Sequence, residues 1–171
     1  MENKKRGASA DANYGLWTLL LRTRQLMYKA RERELHKCGI SPLSSGVLLT
    51  VLRLGEEATP SRISRDLFLE PHSISEHLKR MEKEGLVRRV KDLERKNLVR
   101  VELTPKGVKS YNESCARESI DTMMSVLTSR EQMELWRILS KLRGAALKYT
   151  GMKMKEADLY PPSNPEGLRV P

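Results

Sequence analysis

The sequence predicts a mainly α fold with a small β-hairpin wing, in which a winged helix-turn-helix lobe is flanked by long N- and C-terminal helices. Three observations carry that expectation. Two short helical patterns, Thr59 to Leu67 and Pro71 to Gly85, follow one another across a brief turn. Two Val-rich runs come directly after them, on either side of the charged loop KDLERK. Long stretches with apolar residues at 3.6 spacing bracket this unit on both sides.

In chain order, residues 1–12 are small, charged and aperiodic, which predicts a mobile arm whose Lys4, Lys5 and Arg6 serve mainly as a solubilising tail. The folded domain is expected over 13–150. Its first long helix spans about 14–38, with Leu16, Leu19, Leu20, Leu26, Met27 and Ala30 on one stripe and Gly39 placed for a left-handed close. Ser41 then caps a second helix with Pro42 in its first turn, and Val47, Leu48, Val51, Leu52 and Leu54 make it apolar enough to back the lobe. Gly55 stops it.

The lobe is expected at about 41–103. Thr59 caps a short helix that begins at Pro60 and puts Ile63 and Leu67 on one face. The next helix starts at Pro71, carries Ile74, Leu78 and Met81 at i, i+4 and i+7, and ends at Gly85. Its opposite face offers His72, Ser73, Ser75, Glu76, Lys79 and Arg80, groups suited to base edges and phosphates in a major groove. LVRRV and NLVRVEL read as half-buried strands, with KDLERK as a hairpin tip. From Lys79 to Arg100 nine cations face four carboxylates, a surplus of +5 and half of the chain's +10. Such a surface displaces counterions from duplex DNA and binds it in a salt-dependent way.

Beyond the hairpin, Thr104 and Pro105 start a further long helix, with Val108, Tyr111, Cys115, Ile120, Met123, Met124 and Leu127 at helical spacing. Thr128 and Glu131 form a T-x-x-E capping box that opens another, lined by Met133, Leu135, Trp136, Ile138, Leu139, Leu142, Ala146 and Tyr149. The helices of about 14–38 and 105–150 present more apolar stripe than a small lobe can cover. A second copy packed about a twofold axis covers it, and sets two reading helices about 34 Å apart on a palindromic site. Residues 151–171 contain several prolines and little periodicity, which predicts a loose tail with Leu159 and Tyr160 as its apolar contacts.

The run from Ile63 to Gly107 resembles the MarR (multiple antibiotic resistance regulator) family of winged helix-turn-helix transcription regulators. The likeness rests on L-x-x-x-E-x-x-G-L-V-x-R, here Leu78, Glu82, Gly85, Leu86, Val87 and Arg89, with Met81 in the usual leucine place. It rests also on the L-T-x-x-G close of Leu103, Thr104 and Gly107, and extends more weakly from Tyr14 to Tyr149. One departure is at the wing tip, where Arg95, Lys96 and Asn97 stand in place of the family's Asp-Arg-Arg or Asp-Arg-Ser. The resemblance implies an intertwined homodimer that binds double-stranded DNA at a palindromic operator, and a repressor released by a small aromatic ligand held between dimer helices and lobe. Tyr14, Trp17, Met27, Tyr28, Met123 and Met124 are the candidate lining of that pocket, although each taken singly reads more readily as ordinary core. The family's peroxide sensors keep a cysteine early in the first long helix, whereas Cys38 stands at its end and Cys115 in a later one.

Composition narrows the alternatives. With aromatics at 5% and charged residues at 32%, the core must be aliphatic and methionine-rich. Two cysteines are too few for a disulfide framework and read as small apolar residues. His72 and His77, an i, i+5 step, turn away from each other on a helix, so neither metal nor other cofactor is expected. No catalytic motif of the G-x-S-x-G, P-loop, G-x-G-x-x-G or H-E-x-x-H type occurs, and no enzyme is expected. The N-terminus lacks an apolar signal core and no run is long enough to span a bilayer, so the expected place is the cytoplasm with no membrane partner. Base reading falls to Ser73, Ser75, Glu76, Lys79 and Arg80 with His72 as a further candidate, and backbone or minor-groove contact to Arg62, Arg95 and Lys96. The competing reading is a winged-helix architectural or protein-contact module without a dedicated operator.

Overall fold

The computed structural model describes residues 2–91, 99–114 and 117–152, with the backbone alone over 2–10. The wing tip with Arg95, Lys96 and Asn97, Cys115, and the tail with Leu159 and Tyr160 lie outside the described residues. The elements run α1 (Glu2–Lys37), α2 (Pro42–Leu54), a 3-10 turn (Gly55–Glu57), α3 (Pro60–Asp66), α4 (Pro71–Lys83), β1 (Val87–Lys91), β2 (Val99–Leu103), α5 (Pro105–Ser114), α6 (Glu118–Met124) and α7 (Ser129–Thr150). Among the described residues no single helix is long and apolar enough to cross a membrane.

Local chemistry sets most boundaries where the sequence places them. Ser41 Oγ accepts from the Ser44 amide at 3.0 Å and Thr59 Oγ1 from the Arg62 amide at 3.2 Å, each just ahead of a proline in the first helical turn. Gly39 and Gly85 take the left-handed conformation that closes α1 and α4, with φ of 69° and 71°. Thr128 and Glu131 complete their reciprocal capping box at the head of α7.

The lobe is built on α2. Val47 and Leu48 from α2, Ile63 from α3, and Ile74, Leu78 and Met81 from α4 are fully buried together with Ala58. Burying this stripe fixes how α4 is rolled, and so which face it turns outward. The strands pair antiparallel from Val87 opposite Leu103 to Lys91 opposite Val99. A further bond, the Val101 amide donating to the Ala58 carbonyl at 2.7 Å, ties the hairpin to the residue between the 3-10 turn and the cap of α3. Thr104 locks the hairpin base by donating to the Gly85 carbonyl at 2.5 Å and accepting from the Gly107 amide at 3.0 Å. A Cβ at Gly107 would strike the Leu86 carbonyl oxygen, so the glycine of the L-T-x-x-G motif is required by close backbone approach.

Two expectations are corrected. Helix α1 reaches back to Glu2, through the stretch read as an arm. Ala8, Ala10 and Ala12 with the Lys and Arg residues are good helix formers, and lack of an apolar stripe does not remove that propensity. The single long helix expected after Thr104 is broken between Ser114 and Glu118, with Arg117 left-handed at φ 52°. The break is held from α1: Arg31 donates to the Ser114 carbonyl, while Glu34 accepts from the Ser119 hydroxyl and amide at the start of α6. Burial works against the Glu34 carboxylate, but the bonds from Ser119 and Arg31 outweigh it and hold its pKa below the usual value.

Candidate nucleic-acid interface

Helix α4 turns its buried stripe to the core and leaves His72, Ser73, Glu76, Lys79 and Arg80 exposed, with Ser75 half-buried beside them. Five of the six candidate base readers thus share one accessible surface. Among themselves they are already partly engaged. Lys79 Nζ donates to Glu76 Oε1 at 2.6 Å, and that bond holds the Glu76 carboxyl below its usual pKa. Both are exposed, so the pair is weak and readily exchanged for other partners. Arg62, half-buried on α3, ion-pairs with Glu57.

The basic surplus of the lobe is less available than its sequence suggests. Arg88 reaches across the hairpin to Glu102, with Nη2 to Oε2 at 2.7 Å. Arg89 folds back onto α4, its Nη2 donating to the Ser75 carbonyl at 3.2 Å and its amide to Glu82 at 3.0 Å. The motif arginine therefore docks strand β1 onto α4. Lys83 and Lys91 remain exposed. The two wing cations named from the sequence, Arg95 and Lys96, lie outside the described residues.

One residue that sequence reasoning passed over belongs to this site. His77 is buried between α4 and α2, with Nε2 3.2 Å from Ser44 Oγ and Nδ1 3.3 Å from Arg80 Nη2. Desolvation, and then the Arg80 charge, push its pKa below the ordinary histidine value against the opposing pull of Glu84. No local pattern signals this, because the Ser44 partner sits on another helix.

In the single chain the expected pocket residues lie at or near the surface. Tyr14 and Trp17 are 73% and 57% exposed on α1, Tyr28 is at the surface with the Arg24 guanidinium 5.8 Å from its ring centre, and Met27, Met123 and Met124 are half-buried. A shallow cavity of about 300 Å³ lies elsewhere, between the end of α2, β2 and α5, lined by Val51, Leu52, Val101, Leu103 and Val108 among others.

This geometry has relatives. The model of the MarR family matches residues 39–92, a stretch that takes in α2, α3, α4 and β1. The ligand-free organohalide-sensing transcriptional regulator RdhR-CbdbA1625 superposes with a TM-score of 0.74 at 32% identity, over 81% of this chain and 83% of that one. The chain belongs to the MarR family. The same regulator in its 2,4-dichlorophenol-bound form gives a TM-score of 0.76 at 30% identity, over 89% of each chain. More distant in sequence, a mutant MarR from E. coli complexed with operator DNA matches with a TM-score of 0.69 at 21% identity, over 75% of this chain and 93% of that one, a likeness of fold. No curated protein sequence matches the chain.

Proposed function

We propose that this MarR-family transcription regulator is a cytoplasmic homodimer that reads a palindromic operator through α4 and represses by occupying it. The observation that carries this reading is the roll of α4: a fully buried Ile74, Leu78 and Met81 stripe leaves His72, Ser73, Glu76, Lys79 and Arg80 outward on a rigid lobe. Ser73, Ser75, Glu76, Lys79 and Arg80, with His72, contact bases, and Arg62, Arg95 and Lys96 contact backbone or minor groove. The dimer is supported by the apolar stripes of α1 and α7, which one chain leaves bare. A small aromatic effector, seated among Tyr14, Trp17, Met27, Tyr28, Met123 and Met124 once a second copy closes over them, releases the DNA. In support, the 30% identical regulator carries 2,4-dichlorophenol.

The test is a binding titration of wild type and Lys79→Ala against the duplex upstream of the protein's own gene and a scrambled duplex. Loss of a base contact costs about 1–3 kcal/mol on the preferred duplex and much less on the scrambled one. Equal losses on both would make Lys79 a phosphate contact. Equal, salt-sensitive binding of wild type to both duplexes would favour an architectural protein, and no binding to either a protein-contact module.

A further inference from the structure

We propose that His77 is a positioning residue for DNA reading, a neutral hydrogen-bond acceptor that holds the Arg80 guanidinium in its reading orientation and anchors it to the head of α2. The proposal rests on the reading of Arg80 as a base-contacting residue. Its basis is the direction in which protons can run along one chain of side chains.

Arginine has donors only. The 3.3 Å contact between Arg80 Nη2 and His77 Nδ1 therefore makes Nδ1 the acceptor, and the ring proton must sit on Nε2. Nε2 then donates to Ser44 Oγ at 3.2 Å, and Ser44 Oγ lies in turn 2.9 Å from Ser41 Oγ, a hydroxyl pair in which either can donate. Ser41 Oγ accepts from the Ser44 amide at 3.0 Å, as the cap of α2. The direction is set from the Arg80 cation through His77 to Ser44, and Ser44 connects to the cap of α2.

The arrangement works only with a neutral ring. The charged groups that bear on the imidazole are Arg80 and Glu84, both on α4, while α2 presents to it the uncharged hydroxyl of Ser44. Burial and Arg80 both favour the neutral form, so Nδ1 is free to accept at neutral pH. A second proton would turn Nδ1 into a donor aimed at a donor and place two cations side by side. Arg80 would then swing free. A freed long side chain still attracts phosphate, but it must be ordered again to read a base edge, so what falls is discrimination between sequences and not overall affinity.

The experiment uses the full-length protein, a duplex recovered by it from a randomised pool, and a scrambled control, and reads the ratio of the two affinities. His77→Leu fills the space and removes the acceptor, and His77→Asn keeps an acceptor oxygen near the Nδ1 position but cannot titrate. At pH 7.5, His77→Leu is expected to lower the ratio about three- to tenfold. In an Arg80→Ala background it should lower it little further, and His77→Asn should retain most of it. Thermal unfolding confirms that each protein is folded. A loss from His77→Leu undiminished by Arg80→Ala, or His77→Asn falling as far as His77→Leu, would reduce His77 to packing and overturn the proposal. Arg80→Ala lowering the ratio while His77→Leu leaves it intact overturns this proposal alone. If Arg80→Ala leaves the ratio unchanged, or the pool yields no preferred sequence, the underlying reading of Arg80 falls together with it.

Discussion

The lobe and the long helices that flank it are made of similar residues and end in opposite states. In the lobe, Leu48, Ile63, Leu78 and Met81 are fully buried by neighbours from the same chain. On α1 and α7, Leu16, Leu19 and Leu26, and Leu135, Leu139 and Leu142, keep helical spacing, yet Leu19 and Leu26 are 62% and 70% exposed and α7 buries no residue at all. Amphipathic spacing marks a face that will be buried but not what buries it. In the lobe the partner is intramolecular, and α4 is seated firmly on the core, as the proposed reading role requires. In the flanking helices the stripe stays largely bare among the described residues, as the proposed dimer requires.

Breaking the flanking stripe should have the largest effect. Leu139→Asp combined with Leu142→Asp puts two carboxylates on the bare face of α7, and we expect loss of the dimer and of operator binding, measured by sedimentation and by titration. Persistence of a dimer would place the interface elsewhere. In the lobe, Leu78→Ala deletes a fully buried side chain and is expected to cost about 2–5 kcal/mol in denaturant unfolding. A loss well under that range would mean that the lobe repacks around the cavity. Smallest of the three, Thr128→Ala removes the capping box of α7 and should cost about 1 kcal/mol, read as a lowered unfolding midpoint. If the midpoint does not move, the head of α7 is already held by dimer contacts.

What the sequence disclosed divides along a related line. The caps at Ser41, Thr59 and Thr128 and the left-handed glycines at 39 and 85 were legible because each is satisfied within a few residues. The roll of α4 was legible for the same reason, from Ile74, Leu78 and Met81. The break between α5 and α6 was not, because the apolar spacing of Val108, Tyr111, Ile120 and Met123 continues across it while Arg31 and Glu34, more than 80 residues away, hold it open. Arg89 read as a free cation and is a strut between β1 and α4. His77 read as a histidine too far around the helix for a metal pair, and its partner Ser44 is 33 residues distant. The fold's local punctuation could be read in advance, whereas side chains whose role depends on a distant segment could not.

The reading of the chain as a twofold DNA reader is tested most directly by selecting duplexes from a randomised pool with the full-length protein and measuring the stoichiometry on the winning sequence. Two chains per duplex on a palindrome with half-sites about 10 base pairs apart is the predicted result. One chain on a single half-site, or a pool that never converges, would contradict it.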